Sequence, residues 1–280
     1  MNDNMQGFGK CAFITGASRG IGRGIAEVLA SIGYDIAITY SSKADEANEV
    51  KQYIESLGRR CFIYQASLEF PLVPEAVTRR AIADLGRLDL LVNNAGLTRH
   101  NRITNTSLAE IDFLYGLNYR NPMLCSSVAS AHMVENNIKG NIIFITSSRA
   151  ERAYPTDSMY GGLKSALKRS CESMALELSQ YGIRVNCVAP GHTKVRGDVT
   201  TDLDYGFTKK IPLGRAGTPA ECGWCVAYLA SEKAGYITGI SIRLDGGLII
   251  PGMPEDGSPE SGYGWSRMRQ RPPQPPKPQQ

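Results

Sequence analysis

From residue 11 to residue 244, short runs of apolar and β-branched residues alternate with longer stretches in which apolar positions recur every three or four residues. The short runs, at 11–15, 35–39, 61–64, 88–92, 141–145, 184–188 and 240–244, have strand length and strand composition. The longer stretches, near 21–32, 43–57, 73–85, 108–136, 158–180 and 218–231, predict amphipathic helices. Such alternation makes the strands parallel and places helices on both faces. The expected fold is therefore α/β, a single doubly wound domain around a seven-stranded parallel sheet. Sheets of this kind bind ligands beyond the carboxyl ends of their strands, so the loops that follow each strand are where chemistry is expected.

The pattern stops near residue 250, which divides the chain into a folded body, 1–250, and a tail, 251–280. The tail holds eight of the fifteen prolines and little apolar periodicity, as a flexible or polyproline-like segment would. Composition refines this picture. With 42% hydrophobic and 21% charged positions over 280 residues, a full core is available, which excludes disorder throughout and a disulfide-stapled scaffold. The stretch 262–280, with Arg267, Arg269, Arg271 and Lys277 and no acidic residue, by itself carries the net charge of +4. Residues 1–261 are neutral overall, so neither a nucleic acid nor a membrane surface is an expected partner. No apolar run reaches the ~20 residues of a membrane helix, and the start Met1–Gly7 lacks a secretory pattern. A cytoplasmic protein with seven reduced cysteines and no metal site is expected.

The first strand runs directly into Thr15-Gly-Ala-Ser-Arg-Gly-Ile-Gly22 and then into a helix. In that context Gly16 permits a tight turn. Gly20 and Gly22 permit close approach, and the helix N-terminus offers N–H groups to a pyrophosphate. Further along, Tyr160 and Lys164 are four residues apart at the start of a helix and so share a face. A nearby ammonium favours the phenolate and would bring a tyrosine toward working pH.

The spacing Thr-Gly-x-x-x-Gly-x-Gly resembles the fingerprint of the short-chain dehydrogenase/reductase family, and the resemblance runs over residues 10–250. It implies a Rossmann-like fold, a bound nicotinamide dinucleotide and assembly as a homotetramer or dimer. The catalytic set it implies is Asn118, Ser147, Tyr160 and Lys164. Ser147 lies thirteen residues before Tyr160, the family's spacing, which selects it over Ser148. By the resemblance, Tyr160 exchanges a proton with the carbonyl or alcohol oxygen while Ser147 hydrogen-bonds that oxygen. Lys164 lowers the tyrosine pKa and holds the nicotinamide ribose, and Asn118 positions a water for proton relay.

The implied cofactor set is Gly16, Ser18, Arg19, Gly20 and Ile21 in the turn, Tyr40, Ser41 and Ser42 after the second strand, and Ser67 and Leu68 after the third. Asn94, Ala95 and Gly96 follow the fourth strand and Pro190, Gly191 and Thr193 the sixth, with Tyr160 and Lys164 completing the set. The second strand ends in Tyr40-Ser-Ser-Lys43 without a carboxylate, while Arg19 can pair with a phosphate, so NADP(H) is favoured over NAD(H). Two departures stand out. Ser67 replaces the family's usual Asp at the adenine, and Val195 replaces a Thr at the carboxamide, for which Thr193 is the expected substitute.

Within the family the stretch 135–143, Pro155 and Tyr40–Lys43 look most like bacterial glucose 1-dehydrogenases, which implies a small polar or sugar-like carbonyl or alcohol substrate. A 3-oxoacyl, general carbonyl or hydroxysteroid reductase is the alternative, and a non-catalytic NADP-binding sensor is the alternative of another class. The polar flap at 192–211, with only Tyr205 and Phe207 bulky and apolar, disfavours a steroid. Arg149, Glu151, Arg152 and Tyr154 could hydrogen-bond a hydroxylated or anionic substrate. The pair Cys222 and Cys225 is expected to be packing, with Cys225 on the apolar face, and His100 a solvated loop residue.

Overall fold

A computed structural model of the chain describes residues 7–195, 208 and 210–250; the tail 251–280 and most of the flap, including Tyr205 and Phe207, lie outside the described residues. Seven strands, β1 (Cys11–Ile14), β2 (Asp35–Tyr40), β3 (Cys61–Gln65), β4 (Leu90–Asn93), β5 (Asn141–Ile145), β6 (Arg184–Pro190) and β7 (Ser241–Leu244), form one sheet. Its order is β3-β2-β1-β4-β5-β6-β7, and every pairing is parallel. The helices are α1 (Gly20–Ser31), α2 (Ala44–Ser56), α3 (Val73–Leu85), α4 (Leu108–Tyr115), α5 (Asn121–Glu135), α6 (Ser158–Leu178) and α7 (Pro219–Ala230).

Side-chain alternation explains why both faces need covering. Along β1, Ala12 and Ile14 pack on one side with Ile25 and Leu29 of α1, Val50 and Ile54 of α2 and Val226 and Leu229 of α7. Cys11 and Phe13 pack on the other with Val77 of α3, Ala129 and Met133 of α5 and Leu167 and Cys171 of α6. Strands with no polar face read as continuous apolar runs. β1 sits between β2 and β4, with Phe13 opposite Ala37 and Leu91. The chain lays β1 to β3 in one direction and then crosses back to lay β4 to β7, which opens a crevice beyond the ends of β1 and β4.

The expected helix at 108–136 departs from one regular rod. Between α4 and α5 the chain makes a π-helical turn, Gly116–Arg120. Pro122 has no N–H for the carbonyl one turn back, and the Asn118 amide donates to the Leu114 carbonyl at 3.1 Å, replacing a backbone partner. The extra residue in this turn carries Asn118 inward, where it is fully buried. Smaller differences fall at element ends. β4 begins at Leu90 rather than 88, because the Asp89 carboxylate accepts the Cys11 N–H at 2.8 Å and pairs with Arg87 at 2.6 Å.

Candidate active site

The glycine-rich turn leaves β1 in a shape its sequence dictates. Gly16 has φ +65 and Gly20 φ +56, both in the left-handed region. Gly22 has an ordinary backbone but no space, since a methyl group there would lie 2.5 Å from Asn94 Nδ2 and from the Gly16 carbonyl oxygen. The turn is tied to the end of β4. The Thr15 hydroxyl accepts the Asn94 and Ala95 N–H groups, both at 3.0 Å, and Asn94 Nδ2 donates to the Thr15 and Gly16 carbonyls at 2.9 Å. Gly16 N–H donates to Thr39 Oγ1 at 2.9 Å, so three strand ends are joined.

These ends border a cleft of about 560 Å³. The expected residues Gly16, Ser18, Arg19, Gly20 and Ile21 line it beneath α1; Tyr40, Ser41, Ser42 and Leu68 line one end, with Asn94, Ala95 and Gly96 in the middle. Ser147, Tyr160, Lys164, Pro190 and Gly191 close the other end. The residues fit a dinucleotide. Arg19 precedes α1 in extended conformation without capping it, and the first turn holds no acidic residue, so the N-terminus of a twelve-residue helix opens toward anionic oxygens.

Three expected residues stand elsewhere. Ser67 does not border the cleft, because successive side chains leaving β3 point to opposite sides and it is Ala66 and Leu68 that face inward. Thr193 is drawn off by a short parallel bridge to Gly217 and lines only an adjoining cavity, whereas Val195 does border the cleft. Asn118 lies behind the wall; its Oδ1 accepts the Leu97 N–H at 3.1 Å and its Nδ2 donates to the Leu97 carbonyl. The sequence reading missed Thr39, Lys43, Glu69 and Phe113, which line the cleft. Lys43 stood beside the two expected serines, but the others carry no motif.

At the far end the catalytic candidates converge. A Cβ on Gly96 would sit 2.7 Å from Asn118 Oδ1 and 3.3 Å from Lys164 Nζ, so the Gly96 backbone fits between them. Lys164 Nζ donates to the Ile145 carbonyl at 2.9 Å and lies 5.7 Å from the centre of the Tyr160 ring. Burial pushes its ammonium down to about 8. Tyr160 is raised above an ordinary phenol, first by burial and then by the Asp157 carboxylate, against the Ser147 hydroxyl and the Arg149 guanidinium, which lower it. Raised, the phenol stays protonated at neutral pH and can donate to a carbonyl oxygen.

Ser147 begins the short turn Ser148–Ala150 and its Oγ accepts the Arg149 N–H at 3.2 Å. Beyond it the cleft continues into a cavity of about 240 Å³ that shares Ile21, Ser147, Gly191 and Val195 and adds Ser148, Arg149, Tyr154 and His192. Of the charged loop residues expected at a substrate, Arg149 lines this cavity. Glu151 instead pairs with Lys168 at 2.9 Å and Arg243 at 3.2 Å. His100 is exposed. Both α7 cysteines pack against the core, Cys222 fully buried and Cys225 partly, and burial pushes the Cys222 thiol up to about 12, which leaves it inert.

A family model described as Enoyl-(Acyl carrier protein) reductase matches residues 16–249. The 3-oxoacyl-[acyl-carrier-protein] reductase FabG of Staphylococcus aureus is 35% identical over 86% of this chain and 98% of its own. Glucose 1-dehydrogenase 2 of Bacillus subtilis is 32% identical over 86% of this chain and 95% of its own. The solved short-chain dehydrogenase/reductase of Serratia marcescens BCRC 10948 superposes with a TM-score of 0.82 at 34% identity, covering 87% of this chain and 99% of that one. Likeness at this level along nearly the whole length of each relative, on a sheet of this order with this turn after its first strand, settles the descent. The chain belongs to the short-chain dehydrogenase/reductase family, oxidoreductases that act on alcohols and carbonyls with a nicotinamide cofactor.

Proposed function

We propose that this protein interconverts a carbonyl and an alcohol on a compact, polar or sugar-like substrate, as glucose 1-dehydrogenases do, with NADP(H) favoured over NAD(H). One observation carries the reading: Ser147, Tyr160 and Lys164 meet at one end of the cleft that begins at the glycine turn. The bound nicotinamide supplies or accepts the hydride. Tyr160 gives its proton to the carbonyl oxygen in reduction and takes it back in oxidation. Ser147 hydrogen-bonds that oxygen, Lys164 holds the ribose, and Asn118, packed behind Gly96, holds the Leu97 backbone and positions a water for proton relay.

The choice of NADP rests on charge. Arg19 and Lys43 stand with Ser41 and Ser42 at the same end of the cleft, and β2 ends without a carboxylate. A 2′-phosphate would be paired there rather than repelled. The cavity beyond Ser147 is small and mixes Ser147, Ser148 and Arg149 with Ile21, Val195 and Leu248, and its size supports a compact substrate over a steroid. A second reading, reduction of 3-oxoacyl thioesters or simple ketones, is supported equally by the Staphylococcus aureus relative. The intact proton-transfer set weighs against a non-catalytic sensor.

We also place the body at 1–250, with the tail outside it, and assign the protein to the cytoplasm; among the described residues no helix is long and apolar enough to cross a membrane. A homotetramer or dimer is supported by apolar side chains left exposed on helices, Leu108 on α4, Leu176 on α6, Trp224 and Tyr228 on α7. The test is a panel of aldoses, small hydroxyketones and 3-oxoacyl thioesters with each cofactor, followed at the nicotinamide absorbance. Turnover on an aldose or hydroxyketone that is faster with NADP(H) supports the reading. Measurable NADPH binding with no absorbance change on any substrate overturns it in favour of the sensor.

A further inference from the structure

We propose that Arg149 and Asp157 form a charge-balanced clasp that positions the proton-transfer pair, seating Tyr160 against Ser147 and setting the electric field at the phenol. The inference rests on Tyr160 being the proton-transfer group. Arg149 follows Ser147 by two residues; Asp157 ends the same loop and precedes Tyr160 by three. Their bridge, Nη1 to Oδ2 at 3.0 Å, joins the residues that flank both hydroxyls.

The pair is not explained by stability. The Asp157 side chain is 2% exposed and that of Arg149 27%, yet neither Asp157 oxygen makes a well-aligned hydrogen bond. Burying such a pair gains the fold little, because desolvation offsets the attraction. Asp157 occupies the N-cap position of α6, where an aspartate normally accepts a first-turn N–H, but it makes no such bond and faces Arg149 instead. Gly161 makes room for this, since a Cβ there would lie 3.0 Å from the Arg149 carbonyl and 3.1 Å from Asp157 Oδ2. The guanidinium is also fixed from its other side, stacked 4.5 Å from the Tyr154 ring centre.

Other bonds hold the same turn to α6. Ser165 Oγ donates to the Ala150 carbonyl at 2.7 Å, and Lys168 pairs with Glu151. Loss of one clasp charge therefore leaves the turn in place and changes mainly the field. Among the described residues, the charged and titratable groups around Tyr160 are Asp157 at the N-cap of α6, Lys164 of α6, Arg149 from the turn after β5, and His192 across the adjoining cavity. Of the clasp pair, Asp157 favours the neutral phenol and Arg149 the phenolate, so each cancels part of the other.

The test is the pH dependence of kcat/KM for oxidation of the best alcohol of the panel with NADP+, in the wild type, Asp157→Asn, Arg149→Met, the double variant and Tyr160→Phe. The limb that rises with pH reports the phenol. Asp157→Asn moves it to lower pH and Arg149→Met to higher pH, each by about half a unit or more, and the double variant returns it close to the wild-type position. Shifts of the same sign, or a uniform loss of kcat/KM with the limb unmoved, overturn the clasp. If Arg149→Met does not fold, Asp157→Asn against the double variant decides, since the limb of Asp157→Asn must lie lower. Tyr160→Phe separates the two claims: if it keeps wild-type turnover, the assignment of Tyr160 fails, whereas an inactive Tyr160→Phe with unmoved limbs in the other variants sinks the clasp alone.

Discussion

The two ends of the cleft are built from different materials. The end beneath α1 is made of backbone, glycine and short polar side chains, with Thr15, Thr39 and Asn94 bonding β1, β2 and β4 together and Gly22 pressed against Asn94. The end beneath α6 is made of charges withdrawn from water, Lys164 and the Arg149–Asp157 pair, set around one phenol. The first is limited by space and the second by electrostatics. Adding an atom should therefore damage the first, while removing a charge should relax the second at the expense of its chemistry.

Substitutions at the two ends test this contrast from opposite sides. The largest effect on stability is expected for Gly22→Ala, which places a methyl within 2.5 Å of Asn94 Nδ2 and backbone oxygen; it should cost about 2 kcal/mol in denaturant unfolding and weaken NADPH binding. A Gly22→Ala protein as stable as the wild type would break the comparison. At the other end Lys164→Met should do the reverse. The Lys164 ammonium titrates at about 8, whereas in the unfolded chain it stays protonated to about 10.4. Below pH 8 both states hold the proton and the native state bears the full cost of the buried charge. Between those values the unfolded chain binds the extra proton, so the native state gains relative stability as pH rises. Lys164→Met, even after losing the bond to Ile145, should be more stable at pH 7 by on the order of 1–2 kcal/mol, inactive, and should lose that advantage by pH 10.

Smaller effects sharpen the picture at single residues. Arg19→Ala should weaken NADP binding about tenfold, as loss of a charge-assisted bond at an exposed site does, and leave NAD binding nearly unchanged; equal losses would show that Arg19 does not read the 2′-phosphate. Thr193→Val should change cofactor affinity by less than about 0.5 kcal/mol, because Thr193 is engaged with Gly217 outside the cleft.

The same contrast decides what could be read from the sequence. The inner strands β1, β4 and β5 show as apolar runs because both faces of the sheet are covered there, and the glycine turn shows because its glycines answer to local backbone geometry and close approach. The π-helical turn at Asn118 did not show, since apolar spacing continues through 108–136 and the interruption depends on where one amide finds its partner. Ser67 and Thr193 do not line the cleft, and a position in a loop does not say which way the side chain turns once the backbone pairs elsewhere. The downward shift of Lys164 and the bond between Arg149 and Asp157 are properties of burial and of tertiary approach, and no spacing encodes them.

The central claim is that a dinucleotide held by the glycine end is worked on by a proton carried at the phenol of the charged end. Tyr160→Phe tests it most directly, with NADPH binding and turnover measured on the same preparation. The account predicts NADPH affinity within about twofold of wild type and kcat lower by at least ~10². Turnover retained at the wild-type rate would contradict it.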